Sequence, residues 1–315
     1  MRGDTVTTET KTLKTAAALC EDGSGRTLWQ EMRRRFKKNR MAVVALCVLS
    51  LLLLISVSTL IVDVATEKAF YKTYIVGQDM PNKLKAPSLE SVRDLFGRDE
   101  FGRSIFFRVL WGARYSLFIG ISTVGVAVLA GGILGALAGY YGGRLDNVIM
   151  RVMDVLLAIP YTLFAIAIVA ALGTSIVNLL IAMTIPRIPS MARVVRAAVM
   201  TVKDREFIEA GRAAGASDLR IIAKYILPNA ASSIIVQATL SVAQCILGIA
   251  ALSYLSLGVK PPLPEWGAML TSAKSFFRDA WHITVFPGLA ITVSVLSLNI
   301  FGDGLRDALD PKQKR

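Results

Sequence analysis

Residues 41–62 read MAVVALCVLSLLLLISVSTLIV, with no charged side chain. The hydrocarbon core of a bilayer is about 30 Å thick and takes roughly 20 apolar residues as helix, so this stretch is long enough to cross it. Directly before it, residues 33–40 read RRRFKKNR. A basic cluster at the foot of a span marks the side that stays inside the cell. These two adjacent runs predict a membrane helix with its N-terminal end on the cytoplasmic side.

The same pattern recurs along the chain. Segments 115–138, 155–172, 231–257 and 283–301 are long and apolar. Segment 175–191 is apolar too, but Pro186, Arg187 and Pro189 interrupt it. Membrane helices tolerate such breaks where neighbours satisfy the freed backbone groups. The alternative is a span that ends near Pro186. The expected fold class is all-α, a polytopic membrane bundle of six transmembrane helices. Its expected parts are a cytoplasmic tail (1–40), a first anchor (41–62), an extracytoplasmic loop (63–114), a five-helix core (115–301) and a cytoplasmic tail (302–315).

Composition agrees. Of 315 residues, 54% are hydrophobic and only 19% charged, against roughly 25% charged in soluble domains. The net charge is +13, and its placement sets the orientation. Segments 1–40, 139–154, 187–230 and 302–315 hold 24 basic against 14 acidic residues; segments 63–114 and 258–282 hold 12 against 9. The first set is predicted to be cytoplasmic, with both termini inside. This distribution explains the charge by lipid rather than by nucleic acid, which needs a basic face with base-reading residues. The polar segment 1–40 is too long for the basic stretch of a cleavable signal, so the first span is read as a retained anchor. Residues 1–28 are expected to lie outside the packed fold. Cys20, Cys47 and Cys245 have no disulfide or metal-site spacing, and the latter two are expected to be small core residues.

Chemistry is sparse. His282, the lone histidine, sits at a span boundary without metal co-ligands nearby and reads as an interfacial residue. The pair Gly-Lys occurs nowhere, which excludes the common phosphate-cradling loop. Charges in or beside spans are few: Asp154, Arg187 and Asp303. A proton-coupled carrier places carboxylates or histidines deep in the membrane. This chain offers little for that purpose, so if it moves something uphill the energy is expected to come from elsewhere. Gly131, Gly135 and Gly139 form a stripe on which a second helix can pack closely, within the chain or against a partner.

The most legible segment lies between the fourth and fifth spans. Residues 202–229 read VKDREFIEAGRAAGASDLRIIAKYILPN. Asp204 is placed to cap a helix running through Ala214, with Glu206 in the favourable first turn. Gly215 supplies the left-handed residue that ends it. Ser217 or Asp218 caps a second short helix, and Pro228 stops it and re-aims the chain. Phe207, Ala210 and Ala214 share one face, as do Leu219, Ile222 and Ala223. The product is an elbow with an apolar edge ringed by charge, suited to a groove on a partner.

Glu209-Ala210-Gly211, Gly215 and Ile226-Leu227-Pro228 resemble the EAA loop of ATP-binding-cassette importer permeases. Gly211 departs from the pattern, where alanine is usual; glycine loosens a helix by up to about 1 kcal/mol. GRDEFGRS (97–104), WGARYSL (111–117), GYYGGRLD (139–146), MRVMD (150–154) and PPLPEWG (261–267) are similar to segments of dipeptide, oligopeptide and nickel permeases. The end, from FPG (286–288) through GDGLRDALDP (302–311), resembles the C-type subunit of those heterodimers. These motifs also have plain structural readings: a tight reversal after Gly139, a proline-stiffened loop, and Trp266 as an interfacial anchor.

The resemblance implies the type I importer permease fold in a bacterial inner membrane. It implies a homologous second permease subunit, two cytoplasmic ATPases and an extracytoplasmic binding protein. ATP and magnesium would sit on the ATPases, leaving this chain without cofactor, metal or catalytic residue. Glu209, Ala210, Gly211, Gly215, Ala216 and Pro228 would form the coupling site. Peptides are the expected cargo, with nickel or another small solute as the alternative. Gln237, Gln244, Ser253 and Asn299 are polar positions within spans that could line the path or simply bond between helices. A carrier or channel acting alone, or a scaffold that binds an ATPase without transporting, are the competing readings.

Overall fold

The computed structural model describes residues 28–309; the expectations for Cys20 and the outer parts of both tails fall outside them. A short helix α1 (Leu28–Lys38) precedes the long α2 (Arg40–Ala65). Asn39 separates them and caps α2, its side-chain oxygen accepting from Ala42 N at 3.1 Å. There follow α3 (Ile105–Tyr141), α4 (Gly143–Leu157), α5 (Tyr161–Leu172), α6 (Ile176–Thr184) and α7 (Ile188–Met200). The chain closes with α8 (Glu206–Ala213), α9 (Asp218–Tyr254), α10 (Trp266–Ala273) and α11 (His282–Leu309). Among the described residues the only β pairing is one isolated bridge, Arg98 to Ser104.

Four helices, α2, α3, α9 and α11, are long and apolar enough to cross a bilayer; α4 and α5 make a fifth only as a pair bent by 82°. Six spans are therefore not reached by length and composition. The expected helix 155–172 is broken because Pro160 has no N–H to donate and its ring crowds the carbonyl four residues back. Segment 175–191 runs from α6 through a 3₁₀ turn (Ile185–Arg187) into α7. Pro186 and Pro189 each stand in a first turn, where a missing donor costs little.

The glycine stripe is spent inside the chain. A Cβ on Gly131, Gly135 or Gly139 would come within 2.7 Å of Ile188 O, 2.3 Å of Ala192 O and 2.9 Å of Arg196 O. These glycines let α3 and α7 meet backbone to backbone. The ends of α2 and α11 also meet: a Cβ on Gly304 would lie 2.3 Å from Ala42 Cβ, and Phe36 packs edge-on against Phe301. Both described ends thus lie on one side of the bundle.

The opposite side is capped by the segment after α2. Asp99 accepts from Phe101 N and Arg103 N at 2.9 Å and from Arg103 Nε at 2.6 Å. Arg108 donates to Ile75 O and Pro262 O, at 2.8 and 3.2 Å, tying two loops to the head of α3. Asp94 is buried between Arg98 and Lys85, whose Nζ lies 2.9 Å away. Burial works to raise the Asp94 carboxyl, but its bonds to Lys85 and Arg98 outweigh this and hold it below the usual carboxylate range.

Three expectations change here. Trp266 is not an interfacial anchor: it is 1% exposed, and its indole donates to Val109 O at 2.9 Å. It fits because Gly112 has no Cβ, which would lie 2.7 Å from the indole. His282 is buried as well, its Nε2 3.2 Å from Arg98 O. Cys245 is a core residue as expected, whereas Cys47 lies exposed on α2.

Candidate functional site

The elbow sits at the foot of α3 and α7, on the side of the two described ends. Helix α8 begins at Glu206, with Arg205 at the N-cap and no side-chain cap bond, so Asp204 does not cap it. Glu206 and Glu209 stand in the first turn, where negative charge suits the helix dipole. The C-terminal end matches its sequence closely. Gly215 takes φ +79°, Gly215 N donates to Arg212 O at 2.9 Å, and Ala216 N donates to Gly211 O at 3.1 Å. This paired arrangement satisfies two of the carbonyls a helix end leaves open.

Helix α9 then starts at Asp218, with Ser217 at its N-cap but no side-chain bond from it. Pro228 does not end this helix, contrary to expectation: the helix continues through it to Tyr254. A π-helical stretch, Ile221–Ile226, comes just before, and Leu227 N reaches back to Ile222 O. The wider turn and the position of Pro228 near the start of the regular helix remove the need for a proline donor.

One face of the elbow is fastened. Ile208, Ile221 and Ile226 are fully buried against Val195, Val199 and Tyr140. The Tyr140 hydroxyl donates to Asp218 Oδ1 at 2.6 Å, and the Arg212 guanidinium lies over the Tyr140 ring at 5.3 Å. Beside them, Arg196 holds Asp146 with two bonds of 2.6 Å, fixing the reversal where Gly142 and Gly143 both have positive φ. Sequence reasoning missed Tyr140 and Ile208. Tyr140 and Asp218 are 78 positions apart, so no local period links them; Ile208 stands beside Phe207 in the same charged stretch, and no sequence signal set it apart.

The other face is open. Glu206, Phe207, Glu209, Ala210, Ala213 and Ala214 are exposed, with Phe207 at 38%. The face shared by Phe207, Ala210 and Ala214 therefore points away from the bundle. Leu219, Ile222 and Ala223 do not act together: Ile222 is buried, while Leu219 is 76% exposed. Gly211 is half-buried, and a Cβ there would meet nothing within 4 Å. The elbow is thus packed against the bundle on one side and bare on the other.

The polar positions within spans are dispersed. Gln237 and Gln244 lie two turns apart on one face of α9. Gln237 is half-buried and donates to Ser241 Oγ at 3.4 Å; Gln244 is exposed. Asn299 is half-buried on α11. Ser253 is committed elsewhere, donating to Glu265 Oε2 at 2.9 Å. Glu265, 1% exposed, also accepts from Gly267 N and Ala268 N at 2.8 Å and so caps α10. Among the described residues no group of three or more histidines, cysteines or carboxylates could hold a metal.

Comparison with known proteins fits this geometry. Residues 131–315 match the family model described as the inner membrane component of binding-protein-dependent transport systems. Residues 27–87 match the N-terminal transmembrane domain of oligopeptide transport permease C. The dipeptide transport system permease protein of Alkalihalophilus pseudofirmus is 44% identical, covering 91% of this chain and 90% of its own. A di/tripeptide transport system permease protein of Pseudomonas aeruginosa is 50% identical over 70% of this chain and 73% of its own. A glutathione transport system permease protein of Escherichia coli O157:H7 is 44% identical over 95% of each. A chain of the inward-facing MetNI methionine ABC transporter shares the fold at 17% identity, with a TM-score of 0.50 over 65% of this chain and 98% of that one.

Proposed function

The chain belongs to the inner-membrane components of binding-protein-dependent transport systems, and from that membership we propose that it forms half of an ATP-driven import path for short peptides. The other half is a homologous permease subunit. Two cytoplasmic ATPase subunits dock beneath, one of them on the 202–229 elbow, and an extracytoplasmic protein delivers the cargo. ATP and magnesium belong to the ATPases, not to this chain. The peptide cargo rests on relatives whose names all specify short peptides: dipeptide, di/tripeptide and glutathione.

One observation carries this reading: the elbow presents Phe207, Ala210 and Ala214 outward beside Glu206 and Glu209, while its inner face is locked to α3 and α7. Glu209, Ala210, Gly211, Gly215 and Ala216 shape that outward surface, and Pro228 sits where the elbow passes into α9. The orientation follows from charge, with both termini and the elbow inside the cell. In the bilayer the bent α4–α5 pair counts as one span and α6–α7 as another, giving six. Gln237, Gln244 and Asn299 are the polar positions with side chains available to the path; Ser253 is held by Glu265.

The test is uptake of labelled dipeptide into proteoliposomes containing this chain, its partner permease and the ATPases, with the binding protein added outside. Uptake is expected only with ATP and all components present. Uptake that persists without the ATPases contradicts the reading and favours an ion-coupled carrier.

A further inference from the structure

We propose that the groove between α2 and the bundle of α3, α9 and α11 holds an acyl chain of an anionic phospholipid, whose headgroup rests on the basic residues 33–40. The groove has a volume of about 640 Å³ and is lined by Leu46, Leu53, Val128, Ile235 and Phe301, among others. Ser50 and Thr239 supply its hydroxyls, and Thr239 turns its own back to Ile235 O at 2.9 Å. A peptide would find almost nothing there to replace the water it gives up, whereas a hydrocarbon chain loses nothing by entering. The groove lies along α2, whose Leu46 and Leu53 are 39% and 48% exposed in a span with no charge between Met41 and Val62. In a bilayer such a gap does not stay empty, because its lining would forfeit dispersion contacts.

Charge selects the lipid. Phe301 forms the lip of the groove and packs edge-on against Phe36 of α1, with ring centroids 5.7 Å apart. From that same helix Arg33, Arg34, Lys37 and Lys38 are exposed, and Arg40 opens α2. Six residues of helix separate Arg40 from Leu46, about 9 Å along the axis. That distance suits a phosphate at the level of the arginines and an acyl chain beside the leucines. The exposed positive charge beside the groove complements an anionic headgroup, which favours such a lipid over a helix of the partner subunit. The inference needs only that α2 spans a bilayer, not that the elbow binds an ATPase.

The probe is phosphatidylglycerol with a photoreactive acyl chain, applied to the assembled transporter in bilayers of phosphatidylcholine. Cross-linked peptides are located by mass spectrometry. Label is expected on α2 and α9 residues lining the groove, with competition by unlabelled phosphatidylglycerol but not by phosphatidylcholine. Combining Arg33→Gln, Arg34→Gln and Lys37→Gln should weaken labelling by about fivefold per charge removed. Ser50→Trp, which fills the groove and leaves the charges in place, should remove label from it. Equal labelling by a phosphatidylcholine probe, groove label that survives Ser50→Trp, or a groove cross-linked to a partner helix in place of lipid each overturns the proposal.

Discussion

Gly211 and Gly215 stand four residues apart in the elbow and have opposite tolerances. Gly215 needs its left-handed φ of +79°; any residue with a Cβ costs about 1–2 kcal/mol there. Gly215→Val is expected to loosen the end of α8 and lower peptide uptake, with membrane insertion unchanged by fractionation. Full uptake by that variant would remove the elbow from the mechanism. Gly211 has ordinary helical surroundings and open space. Gly211→Ala should stiffen α8 by up to about 1 kcal/mol, read as slower amide exchange from 208 to 214 with transport retained. Asp94 lies on the opposite side and makes a different prediction. Its folded carboxyl titrates below its unfolded value, so the stability it contributes is present at neutral pH and is lost as pH falls below about 4. Melting of the solubilised protein should therefore fall less steeply with acid in Asp94→Asn than in the parent chain; equal slopes would refute this.

At the scale of elements, the seam between α3 and α7 holds the site in place. Gly135→Val must push Ala192 O away from 2.3 Å of the new Cβ, an overpacking that costs about 1–3 kcal/mol. A lowered melting temperature is the expected outcome, and an unchanged one would mean that the two helices do not meet so closely. The glycine spacing was legible in the sequence, although not which helix it served. The long apolar helices were legible too, because an uncharged run of 22 residues has few alternatives. Breaks and caps were harder. Pro160 and Pro228 are the same residue type with opposite outcomes: one stands in the break of an 82° bend, the other is absorbed after a π-helical stretch. What decides between them is the surrounding helix, which local sequence does not encode. Asp204 failed as a cap for a similar reason, since Val202 is buried and the chain enters α8 one residue later than its capping residue suggests.

For the whole molecule, the division of labour follows from where charge is buried. The side around Asp94, Asp99 and Arg108 is a locked network of ion pairs, suited to a fixed lid over the bundle. The elbow side is fastened within and bare without, suited to receive force. Motif 97–104 and the elbow were both legible as segments, but their tertiary partners, His282 for Arg98 and Tyr140 for Asp218, were not, because they lie far apart in the chain. The central claim is that the outer face of α8 seats on an ATPase subunit. It is tested most directly by cysteine cross-linking in the assembled transporter, with the exposed Cys47 replaced by serine. Ala210→Cys should form a cross-link to an ATPase subunit that changes in yield when ATP is added, while Leu89→Cys, 91% exposed on the opposite side, should form none. If Ala210→Cys gives no ATPase cross-link in a complex that still transports, the elbow is not the docking site.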